Sequence, residues 1–527
     1  MNMRRHLLLS LLSAVMLALP WYTPFSGMLL WVAFVPLLAL EHDFALRKAR
    51  GCWKYYALTF IVWNAITTYW LSHATLAGAV GAIIGNALQM FLLFALFRWV
   101  KRKTNNATGY TFLVALWLAW EYFYFDAEIS WPWLVLGNGF AKDIHLIQWY
   151  EYTGVLGGSL WVWLVNLVLF HIITARRTIY KKQRAITLTI AGLLIMAPIT
   201  LSLIRFHTYR ETINPCRVAI LQPNIDPYHE KFNGLSGAEQ LAILLSLAET
   251  ATDSLTDYVI APETAIDRVQ ENAIEQSEAV RAIRGFVARR PQVNFITGVT
   301  SLYFYSPDEK RSVTAREIEN GAYDVFNASM QINRTDSIPV YHKSKLVLLV
   351  EKMPYPRFFS FLKSLSLDLG GYVGSYGTQE EREAFPSADG RFRIGTAICY
   401  ESVYGRYYTE YIRKGANLMS IITNDGWWDD TPGYRQHLTY ASLRAIETRR
   451  SIARSANTGI SAIINQRGEA SATTGWWERT SLSGTLNANE HITFYVRYGD
   501  YTGRAACLTL FLIGGYALVR GLLKKRG

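Results

Sequence analysis

Cysteine is scarce in this chain. Four occur in 527 residues, Cys52, Cys216, Cys399 and Cys507, with no CxxC spacing and no metal-ligand pattern. That excludes a disulfide framework and a cysteine-based metal site, and leaves only a Cys216–Cys399 bridge open. Internal repeats and low-complexity tracts are lacking as well. Acidic residues are fewer than basic ones, 41 against 53, for a net charge of +12. Such a balance would suit nucleic acid, but much of the Lys and Arg lies in short loops between apolar stretches. That is the pattern of cytoplasmic loops in a membrane protein. No nucleic-acid partner is expected.

What the chain has in abundance is apolar sequence, 51% of residues, with 14% aromatic. It is concentrated in residues 1–205 and again at the end. Met1–His6 is basic and Leu7–Pro20 apolar, as in a signal peptide. No small-residue cleavage site follows, and a second stretch (Gly27–Leu40) comes after a short turn, so the first is read as an uncleaved helix. Further spans are expected at Tyr55–Ser72, Leu76–Val100, Gly109–Phe125, Gly157–Thr174, Ile186–Ile204 and Ala505–Leu523. Each is near the ~20 residues that cross a bilayer.

Basic residues mark alternate connections. They include Arg4 and Arg5, Arg47 to Lys54, Lys101 to Lys103, Arg176 to Arg184, and Lys524 to Arg526. Alternate loops share a side, which the positive-inside rule makes cytoplasmic. The expectation is a polytopic α-helical bundle of eight spans carrying an external domain. Residues 1–205 hold spans one to seven, 206–501 the soluble domain, and 502–527 span eight with a basic tail. Trp131 and Trp133 in the outer loop Ile129–Gly139 read first as interfacial anchors. Glu121, costly in lipid, reads as a hydrogen-bonded structural group in preference to a functional one. Gly81 and Gly85 read as a helix-packing pair.

From Arg217 the periodicity changes. Short β-like runs fall at Arg217–Leu221, Tyr258–Ala261, Asn294–Thr300, Asp324–Ile332, Phe392–Ile398, Asn417–Ile422 and Gly459–Asn465. Helical patterns separate several of them: Ala238–Ala251, Ile274–Arg289 and Arg435–Arg450. In the last, Leu438, Ala441, Ala445 and Ile446 share a face, with Arg444, Thr448 and Arg449 off it. Alternating strands and helices predict an α/β domain. Asn327-Ala-Ser and Asn333-Arg-Thr match a glycosylation sequon, which carries no weight by itself.

Three of the apolar runs end in reactive side chains. Tyr258-Val-Ile-Ala-Pro leads to Glu263, Val340-Tyr-His to Lys343, and Arg393-Ile-Gly-Thr-Ala-Ile to Cys399. A thiol of pKa ~8.5 is mostly protonated at neutral pH and needs activation. Glu263 can take its proton if a dry pocket raises the carboxyl pKa. Lys343 can stabilise charge on a carbonyl oxygen under attack, and the backbone N–H of Tyr400 can be a second donor there. Singly, these residues read as a cap, a surface lysine and a core cysteine. At successive strand ends they read together as base, oxyanion partner and nucleophile.

Ala261-Pro-Glu-Thr-Ala265, Tyr341-His-Lys-Ser-Lys-Leu-Val347, Ala397-Ile-Cys-Tyr-Glu401 and Thr423-Asn-Asp-Gly-Trp-Trp428 resemble the nitrilase superfamily. The resemblance implies an αββα sandwich with Glu263, Lys343 and Cys399 as its triad. It adds Glu351 as a supporting glutamate and Tyr400 and Glu401 as the pair after the nucleophile. With Gln222-Pro-Asn-Ile225 and Trp131-Pro-Trp133, the whole chain is similar to a membrane-embedded branch of that superfamily. This implies an acyltransferase of the bacterial inner membrane, its domain facing the periplasm. An acyl chain would pass from a phospholipid, through a Cys399 thioester, to the α-amino group of a lipoprotein's N-terminal diacylglyceryl-cysteine. A monomer without metal or organic cofactor is expected. Two departures stand out: Leu348-Leu-Val350 replaces the usual Pro-Phe-Gly before Glu351, and Phe232 replaces a tryptophan expected to contact substrate.

Rival readings are a membrane-tethered amidase or nitrilase for small molecules, a transporter with a regulatory domain, and an inactive lipid-binding descendant. Eight spans exceed what a tether needs. Sparse intramembrane charge and the lack of an inverted repeat tell against a transporter, and the intact triad against the descendant. Arg357–Leu369, with Phe358 and Phe361 on its apolar face and Gly370-Gly371 after it, reads as an amphipathic lid over the site.

Overall fold

The computed structural model describes residues 3–174, 181–232, 234–348, 350–352 and 375–526. The chain divides into two compact units. One comprises Met1–Ser72, Leu76–Tyr209 and Arg497–Gly527, the other His73–Thr75 and Arg210–Val496.

The first unit is helical. Among the described residues, six helical stretches are long and apolar enough to cross a membrane: Met3–Trp21, Ser26–Leu46, Leu76–Lys103, Tyr150–Thr174, Lys181–Thr208 and Tyr501–Val519. The other two expected spans are also helical, at Trp53–Thr68 and Asn106–Tyr124. The former has 16 residues, about 24 Å of helix against a ~30 Å hydrocarbon core.

Aromatic rings fill this unit's interior. Phe34 stacks on Trp163 at 4.2 Å and meets Trp117 edge-on at 5.4 Å. Buried polar groups bond to backbone freed by helix breaks, as burial requires. Asn166 Oδ1 accepts from the Phe34 N–H at 2.9 Å. Glu121, fully buried, accepts from Trp117 Nε1 at 3.0 Å and the Leu136 N–H at 2.9 Å. The loop after Asn106–Tyr124 corrects its expectation, because it folds back into the unit. Its short turns Pro132–Leu134 and Leu136–Phe140 are buried, and Tyr150 Oη donates to the Gly137 carbonyl at 2.9 Å. Trp133 is therefore a core residue, stacked on Trp131 at 5.1 Å. The Gly81/Gly85 expectation also needs correcting: among the described residues, nothing beyond the helix's own backbone lies within 4 Å of where either Cβ would be.

The second unit contains the strands β1 (Pro215–Gln222), β2 (Tyr258–Ile260), β3 (Ile266–Gln270), β4 (Asn294–Phe304), β5 (Arg316–Ile318), β6 (Gly321–Ile332) and β7 (Val340–His342). It continues with β8 (Ala384–Pro386), β9 (Arg393–Ile398), β10 (Leu418–Thr423), β11 (Ile452–Ala456), β12 (Ala462–Ile464), β13 (Ala470–Thr473) and β14 (Thr480–Asn487). One sheet has the order β14-β1-β2-β4-β6-β5, with β3 on β4 and β7 on β6; the other has β13-β12-β11-β10-β9-β8. Each has a parallel centre, β1-β2-β4 and β9-β10-β11.

The sheets face each other through β1 with β11 and β6 with β9, and Ser455 Oγ ties them by donating to the Leu221 carbonyl at 2.8 Å. Helices Gly237–Ala251 and Glu278–Ala288 cover the first sheet, Gly405–Arg413 and Pro432–Thr448 the second. This is the expected αββα sandwich. Leu244, Ile283 and Phe286 of the covering helices pack on Val259, Phe295 and Met330 of the first sheet. A Ser236–Glu239 capping box starts the Gly237–Ala251 helix. One expectation fails here. Pro432–Thr448 is buried nearly all round, with Arg444 and Thr448 as inaccessible as Ala445. All four cysteines are free, so the Cys216–Cys399 bridge is not formed.

Candidate active site

Glu263 lies three residues beyond β2, on a turn that β4 presses against. Gly298 permits that approach. A Cβ there would stand 2.6 Å from Glu263 Cα and 2.5 Å from Thr264 N, and the Gly298 N–H donates to the Pro262 carbonyl at 3.1 Å. Lys343 is the residue after β7, its N–H bonded to the Asn327 carbonyl of β6 at 2.8 Å. Cys399 follows β9 directly, with φ +51°. That is the left-handed region, which a residue with a Cβ occupies only when its surroundings hold it there.

The side chains converge. Lys343 Nζ is 2.9 Å from Glu263 Oε1 and 2.9 Å from Glu351 Oε1. Asn327 Nδ2 bridges the same two oxygens at 2.8 Å each. Glu263 Oε2 accepts from the Asn424 N–H at 3.1 Å, and Glu351 Oε2 from the Val347 N–H at 2.8 Å. Glu351 thus reaches the lysine from a turn it caps itself, although Pro-Phe-Gly is absent; Leu349 lies outside the described residues. Glu263, Lys343, Glu351 and Cys399 are all buried.

Charge in this space differs from the expectation for Glu263. Burial by itself would raise its pKa, but the Lys343 charge, the Lys343 and Asn327 hydrogen bonds and the Lys231 charge outweigh it, so the carboxyl is held below its ordinary value. Lys343 answers in kind. Burial works against its charge, the two glutamates more than compensate, and it remains an ammonium. The Cys399 thiol is pushed well above its ordinary value by burial and the Glu263 charge, with Lys343 opposing. The resting pair is therefore carboxylate and thiol.

Glu401 sets the distance between the lysine and cysteine loops. Its Oε1 accepts from Tyr341 Oη at 2.9 Å, from the Ser344 N–H at 2.7 Å and from Tyr407 Oη. Its Oε2 accepts from the Ile398 N–H at 2.9 Å and Tyr411 Oη at 3.0 Å. One buried carboxylate thus holds the residue after Lys343 and the residue before Cys399. Tyr400 is buried with its ring edge-on to Tyr404 at 5.1 Å.

Other candidates separate. Phe232 is partly exposed and lies parallel to Trp427 at 6.4 Å, with Tyr228 edge-on to the same indole at 5.2 Å. Trp131 and Trp133 belong to the helical unit. Phe358 and Phe361, with the rest of Arg357–Leu369, lie outside the described residues. Sequence reasoning missed Asn327, Asn424 and Lys231. Lys231 Nζ donates to Thr264 Oγ1 at 2.5 Å, beside a turn with φ +48° at Thr264, and burial of its ammonium pushes it down to about 8. The signal for Asn327 was a buried amide in the middle of a largely apolar strand, which the sequon match obscured.

Two facing sheets, helices on their outer sides, and a glutamate–lysine contact beside a cysteine at a strand end define a carbon–nitrogen hydrolase. The chain belongs to that family: the carbon–nitrogen hydrolase model matches residues 217–492, more than half its length. A second model, the apolipoprotein N-acyltransferase N-terminal domain, matches residues 13–168, which places the chain in the apolipoprotein N-acyltransferase branch. Curated relatives of that name agree along the chain. The protein of Chlorobaculum tepidum is 29% identical over 98% of this chain and 97% of its own. That of Geobacter metallireducens is 28% identical over 99% and 96%, and that of Thermotoga maritima 26% identical over 94% and 90%.

Proposed function

We propose that this protein transfers an acyl chain from a membrane phospholipid to the α-amino group of the N-terminal diacylglyceryl-cysteine of lipoproteins, with Cys399 as carrier. The observation that carries the reading is the buried contact of Lys343 with Glu263 and Glu351 beside Cys399, in a chain whose described residues include six helical stretches long and apolar enough to cross a membrane. The name shared by relatives along both parts supports the choice of substrates.

In the first half, Cys399 Sγ attacks the acyl carbonyl of the donor. A C–S bond forms, the ester C–O bond breaks, and lysophospholipid leaves with the proton that Glu263 took from the thiol. Because a low-pKa carboxylate faces a high-pKa thiol, that transfer is uphill at rest. It proceeds together with attack, as charge moves onto the carbonyl oxygen, where Lys343 and the Tyr400 N–H receive it. In the second half, the neutral α-amine attacks the thioester. A C–N bond forms, the C–S bond breaks, and Glu263 passes the amine proton to the Cys399 sulfur. Phe232 and Trp427 offer a partly exposed aromatic surface for an apolar chain.

The chain crosses the bacterial inner membrane eight times, with residues 206–501 in the periplasm and both termini in the cytoplasm. The alternating basic loops support this arrangement. Intact-mass spectrometry of protein purified from membranes tests the reading. An acyl-sized adduct is expected on the wild type and not on Cys399→Ala, and a diacylglyceryl peptide should discharge it as N-acylated product. A wild type with no adduct on donor phospholipid would refute the thioester route.

A further inference from the structure

Behind Cys399 lies a second set of buried polar side chains that these steps leave unused. Ser402, Asp425, His437 and Arg454 are each at most 1% exposed. Their order resembles a serine–histidine–aspartate relay, but Ser402 is buried and its hydroxyl is spent on the backbone. Ser402 Oγ donates to the Cys399 carbonyl at 2.7 Å and lies 3.0 Å from His437 Nε2. His437 Nε2 is itself 3.2 Å from the same carbonyl. A carbonyl only accepts, so a hydrogen bond in that contact is one that Nε2 donates. On the other side of the ring, Nδ1 is 2.9 Å from Asp425 Oδ1, which also accepts from Thr423 Oγ1 at 2.7 Å. Asp425 Oδ2 takes Arg454 Nη2 at 2.5 Å. Asp425 follows β10, His437 lies on the Pro432–Thr448 helix and Arg454 on β11. Three elements therefore fix the direction in which the imidazole points.

The carbonyl they hold belongs to the peptide that joins Cys399 to Tyr400. A trans peptide is planar, with its C=O and N–H directed oppositely. Pulling the Cys399 carbonyl back toward Ser402 and His437 turns the Tyr400 N–H the other way, away from both. The same pull stabilises the positive φ at Cys399, +51°. We propose that His437, oriented by Asp425, is a positioning residue for the oxyanion site. It holds the Cys399–Tyr400 peptide so that the Tyr400 N–H meets the oxygen of the carbonyl under attack.

The inference rests on Cys399 being the acyl carrier. Its test compares two reactions of that thiol in the full-length protein. Alkylation by iodoacetamide needs sulfur but no oxyanion donor, whereas acylation by a short p-nitrophenyl ester needs both. His437→Asn keeps a polar group near Asp425 but falls short of the Cys399 carbonyl; His437→Gln can reach it. His437→Asn should slow acylation roughly 10²-fold, the scale of a misplaced catalytic group, while alkylation and its pH profile stay as in the wild type. His437→Gln should recover most of the loss. Parallel loss of both reactions, no loss of either, or a His437→Gln variant as slow as His437→Asn would each overturn the proposal. A wild type that is alkylated at Cys399 but never acylated would instead overturn the function reading, and this inference with it.

Discussion

At the scale of single residues, one buried space drives neighbouring groups in opposite directions. Lys343 holds Glu263 below its ordinary pKa, while burial and the Glu263 charge lift the Cys399 thiol. The alkylation rate of resting Cys399 should therefore keep rising through pH 9, where an ordinary thiol levels off; a plateau near neutrality would mean a preformed thiolate. Glu263 has the opposite sign. Its folded pKa lies below the ordinary glutamate value of 4.5, so its ionised form contributes stability above that pH and loses it as pH falls through the folded value. An acid limb of activity due to Glu263 should accordingly lie below pH 4.5. In the proposed mechanism Lys343→Ala removes an oxyanion donor, and it leaves Asn327 as the one side chain bonded to both Glu263 and Glu351. Adduct formation should slow by about 10²–10³, as single-turnover mass spectrometry would show. Glu263, Lys343 and Cys399 were legible because each ends an apolar run. Asn327 was not, because its role depends on a carboxylate 64 positions away in sequence.

At the scale of elements, the central strands β1, β2, β4, β6, β9 and β10 were readable as apolar runs. β11, Ile-Ala-Arg-Ser-Ala, was not, although it is buried throughout. Its polar side chains bond to groups outside the strand, Arg454 to Asp425 and Ser455 to the Leu221 carbonyl, so they break the pattern without reaching water. Edge strands β13 and β14 carry small and polar residues with few large apolar ones and gave no periodic signal. The Pro432–Thr448 helix misled for a related reason: a helix buried all round has no solvent face for periodicity to find. Its Arg444 and His437 are interior groups. The contact of β4 with the Glu263 turn makes a sharper point. Gly298→Ala would set a Cβ against backbone atoms on three successive residues, Pro262, Glu263 and Thr264, so strand or turn must move. Acylation should fall about 10²-fold. Gly285→Ala, on an open face of the Glu278–Ala288 helix, should leave acylation unchanged and stabilise by up to ~1 kcal/mol. Equal effects of the two would deny that β4 positions Glu263.

At the scale of the whole molecule, topology depends on the two helices that are least suited to cross a bilayer. Between Lys103 and the start of the catalytic unit the chain runs through Asn106–Tyr124, Tyr150–Thr174 and Lys181–Thr208. If all three cross, Lys103 and the catalytic unit lie on opposite sides; if Asn106–Tyr124 does not, they lie on the same side. Between Arg4 and Lys103 the same parity argument isolates Trp53–Thr68, because the other three helical stretches there are among the six suited to crossing. Basic loops predict that both weak helices cross, with Glu121 held inside the bundle by the hydrogen bonds that Trp117 and the Leu136 N–H donate to its Oε1. Single cysteines at Arg4, Lys103 and the fully exposed Val313, in a chain whose four native cysteines are serine, test this with an impermeant maleimide. In spheroplasts Val313→Cys should label at once, and Arg4→Cys and Lys103→Cys only after permeabilisation. Lys103→Cys labelling together with Val313→Cys would show that Asn106–Tyr124 does not cross. Arg4→Cys labelling apart from Lys103→Cys would show the same of Trp53–Thr68.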